Sequence, residues 1–146
     1  TFHRVLWDDA QKGNSTAKLK ADDKISRVVL CSGKVYYDLL AERDAQGLED
    51  VYLLRVEQLY PTPTISLTQE LGRFAKADFV WCQEEPKNQG AWSFIEPEIE
   101  TILTKVRGKP TRMSYAGRKA SASPATGLAS RHKHEQQTLV AQALGL

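Results

Sequence analysis

Short, continuous apolar runs recur along this chain and predict a set of buried strands. Residues 28–31 and 79–82 form runs of this kind, residues 51–56 form one that is interrupted only by Arg55, and residues 111–116 predict a weaker fourth strand. A run that is apolar at successive positions is typical of a strand that is covered on both faces in a parallel sheet.

Segments with the period of an α-helix separate these runs. Apolar residues recur at helical spacing from residue 35 to a stop at Gly47, over residues 65–75 and over residues 92–106. A final helix is expected over residues 128–144.

Pro97 leaves the start of the third helix open. Either the helix kinks at this proline, or it begins late, since Ser93 and Glu96 have the spacing of a capping box.

The alternation of strands with helices indicates βαβ units, in which right-handed crossovers place helices on both faces of a sheet. The fold class is therefore α/β: a three-layer sandwich around a mostly parallel sheet of four to five strands, formed by residues 25–146. Residues 1–24 are interpreted as a polar leader segment whose apolar cluster, between Phe2 and Trp7, docks on a preceding domain. The only methionine is Met113, so the chain is expected to be a piece of a longer protein.

The composition is that of an ordinary globular protein and narrows the function classes. The chain has 146 residues, 41% hydrophobic and 26% charged, which suits one domain with a core of its own. No apolar run approaches the ~20 residues of a membrane span. Two cysteines, Cys31 and Cys82, exclude a disulfide-rich scaffold, and both are expected to be buried, inert thiols in interior strands.

Charge is unevenly distributed behind a formal net charge of +2. Residues 35–106 carry six basic and thirteen acidic side chains, whereas residues 107–134 carry seven basic and no acidic ones. This basic segment either binds a phosphate or an acidic partner, or folds back onto the acidic part of the same chain. Its basic residues are Arg107, Lys109, Arg112, Arg118, Lys119, Arg131 and Lys133.

Polar residues follow the predicted strands, at the edge of the sheet where α/β proteins bind ligands. Ser32, Gly33 and Lys34 lie between a strand and a helix start, where backbone N–H groups and the lysine could hold an anion. Arg118 and Lys119, after the fourth strand, are the other candidates for an anionic effector. The simpler interpretation is a turn glycine with a solvated lysine, because neither GxGxxG nor a P-loop motif is present.

Two adjacent carboxylates, Glu84 and Glu85, follow the third strand. Neighbours on an extended strand point to opposite faces, so they do not form an acid–base pair by spacing alone. One of them is expected to pair with Arg118 or Lys119, either as a structural ion pair or as part of a ligand contact.

Four further polar residues are candidates for structural or interface contacts. Asn88 and Gln89 lie in the next loop, and their amides suit hydrogen bonds to a partner or a neighbouring backbone. His132 and His134 lie about 200° apart on a helix, which is the wrong spacing for a metal pair. They are expected to serve a helix terminus, an interface or a buried hydrogen bond. No metal ligand and no complete catalytic set are predicted.

Seven motifs in this order resemble one family. They are FHRV (2–5), VLCSGKVYYDL (29–39), RVEQLYP (55–61), WCQEEPKNQGAW (81–92), YAGR (115–118), SPATG (123–127) and HEQQ (134–137). The chain resembles the carboxyl-terminal part of the thiamine-diphosphate-dependent first component of the 2-oxoglutarate dehydrogenase complex. The resemblance covers nearly the whole chain.

The resemblance implies a transketolase-like carboxyl-terminal domain, in agreement with the pattern above. The family decarboxylates 2-oxoglutarate oxidatively in the tricarboxylic acid cycle and passes the succinyl group to the lipoyl group of a succinyltransferase component. The cofactors of the family are thiamine diphosphate and Mg²⁺. The GDG motif with which the family binds the diphosphate is absent from this sequence. The cofactors are therefore expected in domains outside this sequence, no catalytic or cofactor-binding residue is assigned, and the fragment alone is expected to be inactive.

The resemblance also implies partners. The domain is expected to pack on preceding domains and to help build a homodimer, in a bacterial cytoplasm (favoured) or a mitochondrial matrix. No nucleic acid or membrane is expected to bind.

Two alternative functions stay open: a regulatory module that binds an adenine nucleotide or acyl-CoA, as some family members do, and a self-contained small enzyme of flavodoxin-like shape.

Overall fold

The computed structural model describes residues 5–13, 18–120 and 129–146. These residues contain five strands and four α-helices, and from the second strand onward strands and α-helices alternate, as predicted. The strands are β1 (Val5–Leu6), β2 (Arg27–Cys31), β3 (Val51–Val56), β4 (Asp78–Pro86) and β5 (Ser114–Arg118). The helices are α1 (Val35–Ala45), α2 (Thr64–Leu71), α3 (Trp92–Arg107) and α4 (Ala129–Leu144).

The sheet has the strand order β1-β3-β2-β4-β5. β1 is antiparallel to β3, whereas the other neighbouring pairs are parallel. The central strand is β2, whose residues from Val28 to Cys31 are fully buried. This burial explains why the strand is apolar at successive positions, because each face needs an apolar side chain.

Two helical layers cover the sheet. α2 and α3 pack on one face together with Val28 and Leu30 of β2, and α1 and α4 pack on the other face together with Val29 and Cys31. The predicted three-layer α/β sandwich with a mostly parallel sheet is confirmed.

The bounds of three elements differ from the prediction. α3 begins at Trp92, so Pro97 lies inside it and the late start does not occur. β4 continues beyond residues 79–82 to Pro86, because it pairs again with β5 at Arg118. β5 itself begins at Ser114, and most of the predicted loop that follows Lys119 lies outside the described residues.

The segment before the predicted domain adds the short strand β1 to the edge of the sheet, where Val5 pairs with Val56. No periodicity indicated this strand, which is two residues long and becomes a strand only by pairing with β3. The docking of residues 1–24 on a preceding domain stays a prediction.

A buried ion pair holds residues 5–13 on the domain. Nη1 of Arg43 lies 2.5 Å from Oδ2 of Asp8, and Nη2 lies 2.8 Å from Oδ1, with both side chains fully buried. Asp8 also accepts a hydrogen bond from the backbone N–H of Leu53, and Arg43 donates one to the carbonyl of Val51. These bonds compensate the desolvation of both charges, and they join α1 and β3 to the segment that precedes them.

Replacing Asp8 by alanine should therefore leave Nη1 and Nη2 of Arg43 buried without their carboxylate, so that only the contact of Nε with Asp44, at 2.9 Å, remains as an ion pair. The backbone N–H of Leu53 would also lose its acceptor. We expect Asp8→Ala to lower the free energy of unfolding by about 3–5 kcal/mol in urea denaturation. Lys12→Ala is the matched control, because it breaks a partly exposed ion pair with Asp9 on the same segment and should cost about 0–1 kcal/mol. Equal losses in the two variants would contradict a dominant role for the buried pair.

Candidate functional site

A cleft of about 590 Å³ opens between the carboxyl ends of β2 and β4. The chain leaves β2 toward β3 and leaves β4 toward β5, so the connections diverge at this point. Such divergence creates the crevice in which α/β proteins bind ligands. The cleft is lined by Ser32, Gly33, Leu59, Tyr60, Trp81, Gln83, Glu85, Gly90, Ala91 and Phe94.

Gln83 organises the floor of this cleft. Its side chain is only 4% exposed, and Oε1 accepts hydrogen bonds of 3.0 Å from Nε1 of Trp81 and from the backbone N–H of Trp92. Its Nε2 donates to three main-chain carbonyls, those of Glu85, Pro86 and Gln89. One amide thus fastens the loop between β4 and α3 to the end of β4.

Gly90 is required where this loop passes Gln83. Its φ is +66°, and a Cβ built there would lie 3.1 Å from both terminal atoms of the Gln83 amide. A side chain at this position would therefore meet an unfavourable backbone conformation and would also displace the amide that shapes the cleft.

Two aromatic side chains form the outer rim. Tyr60 is 81% exposed and Phe94 is 39% exposed, and their ring centroids lie 5.8 Å apart. Glu85 is the one charged side chain among the residues that line the cleft. Aromatic rings beside a carboxylate suit a planar group that is neutral or cationic, and they disfavour a phosphate.

Only two of the five candidates for anion binding lie at the cleft. Ser32 and Gly33 line the cleft, whereas Lys34, Arg118 and Lys119 are not among its lining residues. Lys34 and Lys119 are exposed to solvent. The five residues are therefore not gathered around this cleft, and their binding of an effector stays a prediction.

Arg118 lies in a hydrogen-bonded network with α4. Its Nε lies 3.1 Å from Oε2 of Glu135, its Nη1 donates to the carbonyl of Glu84, and its Nη2 donates to Oε1 of Gln136. His132 approaches the same guanidinium, with Nδ1 3.4 Å from Nη2. The carboxylate partner of Arg118 is thus Glu135 rather than Glu84 or Glu85, because α4 packs against the end of β5.

Glu84 and Glu85 have different surroundings. The carboxylate of Glu84 is partly buried and accepts a hydrogen bond of 3.1 Å from Nε2 of Gln136 on α4. Glu85 is exposed and lines the cleft.

The other interface candidates lie near the surface. Asn88 and His134 are exposed, and the carbonyl of Gln89 accepts the hydrogen bond from Gln83. Their contacts with a partner stay predictions.

Cys31 and Cys82 are fully buried on neighbouring strands, where they are register partners. Burial raises the pKa of Cys31 well above the ordinary thiol value and raises the pKa of Cys82 to about 12. Because the thiolate is the reactive form, neither sulfur is suited to nucleophilic chemistry.

The described residues contain no group of three or more His, Cys, Asp or Glu side chains that could hold a metal ion. Among the helices of the described residues, none is long and apolar enough to cross a membrane.

Gln83, Tyr60 and Phe94 are the residues of the cleft to which the sequence pattern assigned no role. The sequence feature that could have indicated the structural role of Gln83 is its position directly after a buried apolar run. An amide there must find hydrogen-bond partners, since unpaired buried polar groups are rare.

Comparisons with known proteins cover the whole chain. A family model described as 2-oxoglutarate dehydrogenase C-terminal matches residues 1–144. The chain is 59% identical, over 99% of its length, to the 2-oxoglutarate dehydrogenase E1 component of Brucella anthropi, of which it covers 15%. It is similar to the proteins of the same name from Brucella ovis (59% identical) and Brucella abortus (58% identical), each over 99% of this chain and 14% of the relative. The chain thus spans about 15% of the length of the curated relatives that it matches.

Removing the amide of Gln83 should destabilise the cleft and the fold together. Gln83→Leu leaves Nε1–H of Trp81, the backbone N–H of Trp92 and the carbonyl of Gln89 without their partner, whereas the carbonyls of Glu85 and Pro86 keep the hydroxyl of Tyr115 and the N–H of Gln89. We expect it to lower the free energy of unfolding by about 2–4 kcal/mol. Gln58→Leu is the matched control, since Gln58 makes an exposed hydrogen bond to Pro61, and it should change stability by about 0.5 kcal/mol or less. Urea denaturation measures both, and similar losses would argue against a special role for Gln83.

The two thiols should not react in the native protein. We expect no alkylation of Cys31 or Cys82 by iodoacetamide at pH 8, and complete alkylation of both after unfolding in guanidinium, as read by intact mass. Rapid labelling of the native chain would contradict the burial of the sulfur atoms.

Proposed function

Because the chain belongs to the family of 2-oxoglutarate dehydrogenase C-terminal regions, we propose that it is the carboxyl-terminal structural domain of a 2-oxoglutarate dehydrogenase E1 component. The observation that carries the proposal is the family match over residues 1–144. The whole enzyme then decarboxylates 2-oxoglutarate oxidatively and transfers the succinyl group to a lipoyl group of its succinyltransferase partner. Thiamine diphosphate and Mg²⁺ bind outside this chain.

The role of the domain is structural. An effector that regulates the enzyme would do so by binding to this domain. Support comes from the cleft, because Glu85 is the one charged residue among the described residues that line it. Exposed aromatic residues offer surfaces for preceding domains and for a second subunit, since such residues are enriched in interfaces. They include Trp7, Tyr37 and Tyr60. The bacterial origin of the relatives supports a cytoplasmic location.

The two alternatives receive less support. A regulatory module that binds an adenine nucleotide or acyl-CoA in the cleft would place phosphates beside Glu85, which repels them. A self-contained enzyme would need a set of reactive groups, and the cleft offers one carboxylate. Calorimetric titration with acetyl-CoA, with thiamine diphosphate plus Mg²⁺ as the control ligand, separates these possibilities from a purely architectural domain.

A chimaera tests the proposed function directly. The corresponding region of the Brucella anthropi E1 component is replaced by this chain, and oxidation of 2-oxoglutarate is measured with an artificial electron acceptor. We expect activity in the chimaera, and none in a version that lacks the region or in the 146-residue chain supplied with both cofactors. Activity of the isolated chain, or a chimaera no better than the truncated version, would overturn the proposal.

A further inference from the structure

A second cavity, of about 270 Å³, opens at the amino ends of the parallel strands, on the opposite side of the sheet edge from the cleft. It lies where β2, β4 and β5 begin, and Arg27 and Asp78 are register partners there. The described residues that line it include three arginines, Arg27, Arg107 and Arg112, and one carboxylate, that of Asp78. Three positive charges thus share a small cavity with one negative charge, so a bound dianion would make the lining neutral.

Arg107 has a fixed position in this lining, and its charge is not neutralised. Nη2 donates hydrogen bonds of 2.8 Å to the carbonyls of Phe74 and Ala77, and Cζ lies 5.1 Å from the ring centroid of Phe79. These partners are neutral, and no acceptor of the described residues meets Nε or Nη1. The one buried side-chain atom without a partner in that part of the chain is Nε of Arg55, so the unused N–H groups of Arg107 are open to solvent.

Arg27 contributes a second guanidinium of the same kind. Its Nη1 donates a hydrogen bond of 3.3 Å to the carbonyl of Ala143 near the end of α4, and a Cβ at Gly145 would lie 3.2 Å from its Cζ. Nε and Nη2 meet no acceptor among the described residues. Like Arg107, Arg27 is partly buried and forms no ion pair with a carboxylate of the described chain, although the exposed Asp78 lies in the same cavity.

We propose that Arg27 and Arg107, assisted by Arg112, form a binding site for a small dianion at the amino ends of the strands. Guanidinium groups recognise the oxygens of phosphate-like ions and of carboxylates through paired N–H bonds, and neutral partners already fix two of the three groups here. Arg112, whose side chain is 85% exposed, adds a third cation.

The size of the cavity limits the ligand to a small ion. Its volume of about 270 Å³ lies below the range of about 300–1,000 Å³ that is usual for pockets that bind drug-sized molecules. A tetrahedral oxyanion or a short dicarboxylate fits this volume, whereas a nucleotide or an acyl-CoA does not. The site therefore differs both in place and in ligand from the cleft at the carboxyl ends of β2 and β4.

The test uses the 146-residue chain at pH 7 and constant ionic strength, so its outcome does not depend on the proposed role in the dehydrogenase. The ¹⁵N-labelled protein is titrated separately with sulfate, a tetrahedral dianion, and with malonate, a dicarboxylate. NMR follows the backbone amides of Asp78, Phe79 and Arg112. We expect saturable shifts, and the probe that binds more tightly identifies the class of the dianion. Acetate, with a single charge, should bind at least several-fold more weakly than that probe.

Substitutions of opposite sign separate binding from a merely structural role. Arg27→Gln should raise Kd by about tenfold or more, and Arg112→Gln, at an exposed position that does not endanger folding, should raise it by about threefold or more. Asp78→Asn removes the one negative charge of the lining and should lower Kd by about threefold or more.

Arg131→Gln is the matched control, since the side chain of Arg131 is 70% exposed, pairs with Glu135 on the surface and is not among the residues that line the cavity. It should leave Kd unchanged. Shifts that do not saturate with either dianion, or acetate that binds as tightly as they do, would overturn the proposal. A Kd that is the same in the wild type and both variants of the lining arginines, or that Asp78→Asn does not lower, would overturn it as well.

Discussion

The burial of β2 on both faces is the constraint on which the rest of the structure depends. A strand with no exposed side chain from Val28 to Cys31 needs a helical layer on each side and a hydrogen-bonded neighbour on each edge. α1 and α4 meet the first need on one face, and α2 and α3 meet it on the other. Because the chain turns to opposite sides after β2 and β4, the same arrangement also creates the cleft between their carboxyl ends.

Buried polar groups then decide how the loops and the leader join this core. Asp8 and Arg43 neutralise each other inside the protein, and Gln83 uses both ends of its amide. In each case a single side chain serves several backbone groups of different segments, so its removal would leave more than one partner unpaired. Arg55 is the exception to this pattern, since its Nε has no acceptor within the described chain.

The basic segment meets the acidic part of the chain in several places. Arg107 donates to the carbonyls of Phe74 and Ala77, Arg112 pairs with Glu100, and Arg118 donates to the carbonyl of Glu84. These contacts support the simpler of the two interpretations of its charge, although of these three arginines only Arg112 meets a carboxylate in the acidic part. The net charge of a segment is therefore a poor guide to an anion-binding site, because its basic side chains can already be occupied by ion pairs and hydrogen bonds within the same chain.

The sequence by itself determined the order and type of the elements and the family to which the chain belongs. Residues 28–31 are apolar at every position and are buried at every position, and this information is local to the run. Only the tertiary structure decided that Val5 and Leu6 form an edge strand and that Glu135 is the carboxylate partner of Arg118. It also decided that Nε of Arg55 meets no acceptor among the described residues. Such outcomes depend on distances between residues that are far apart in sequence. A local pattern records how buried a side chain must be, but it does not record which distant atom will satisfy its charge or hydrogen bonds.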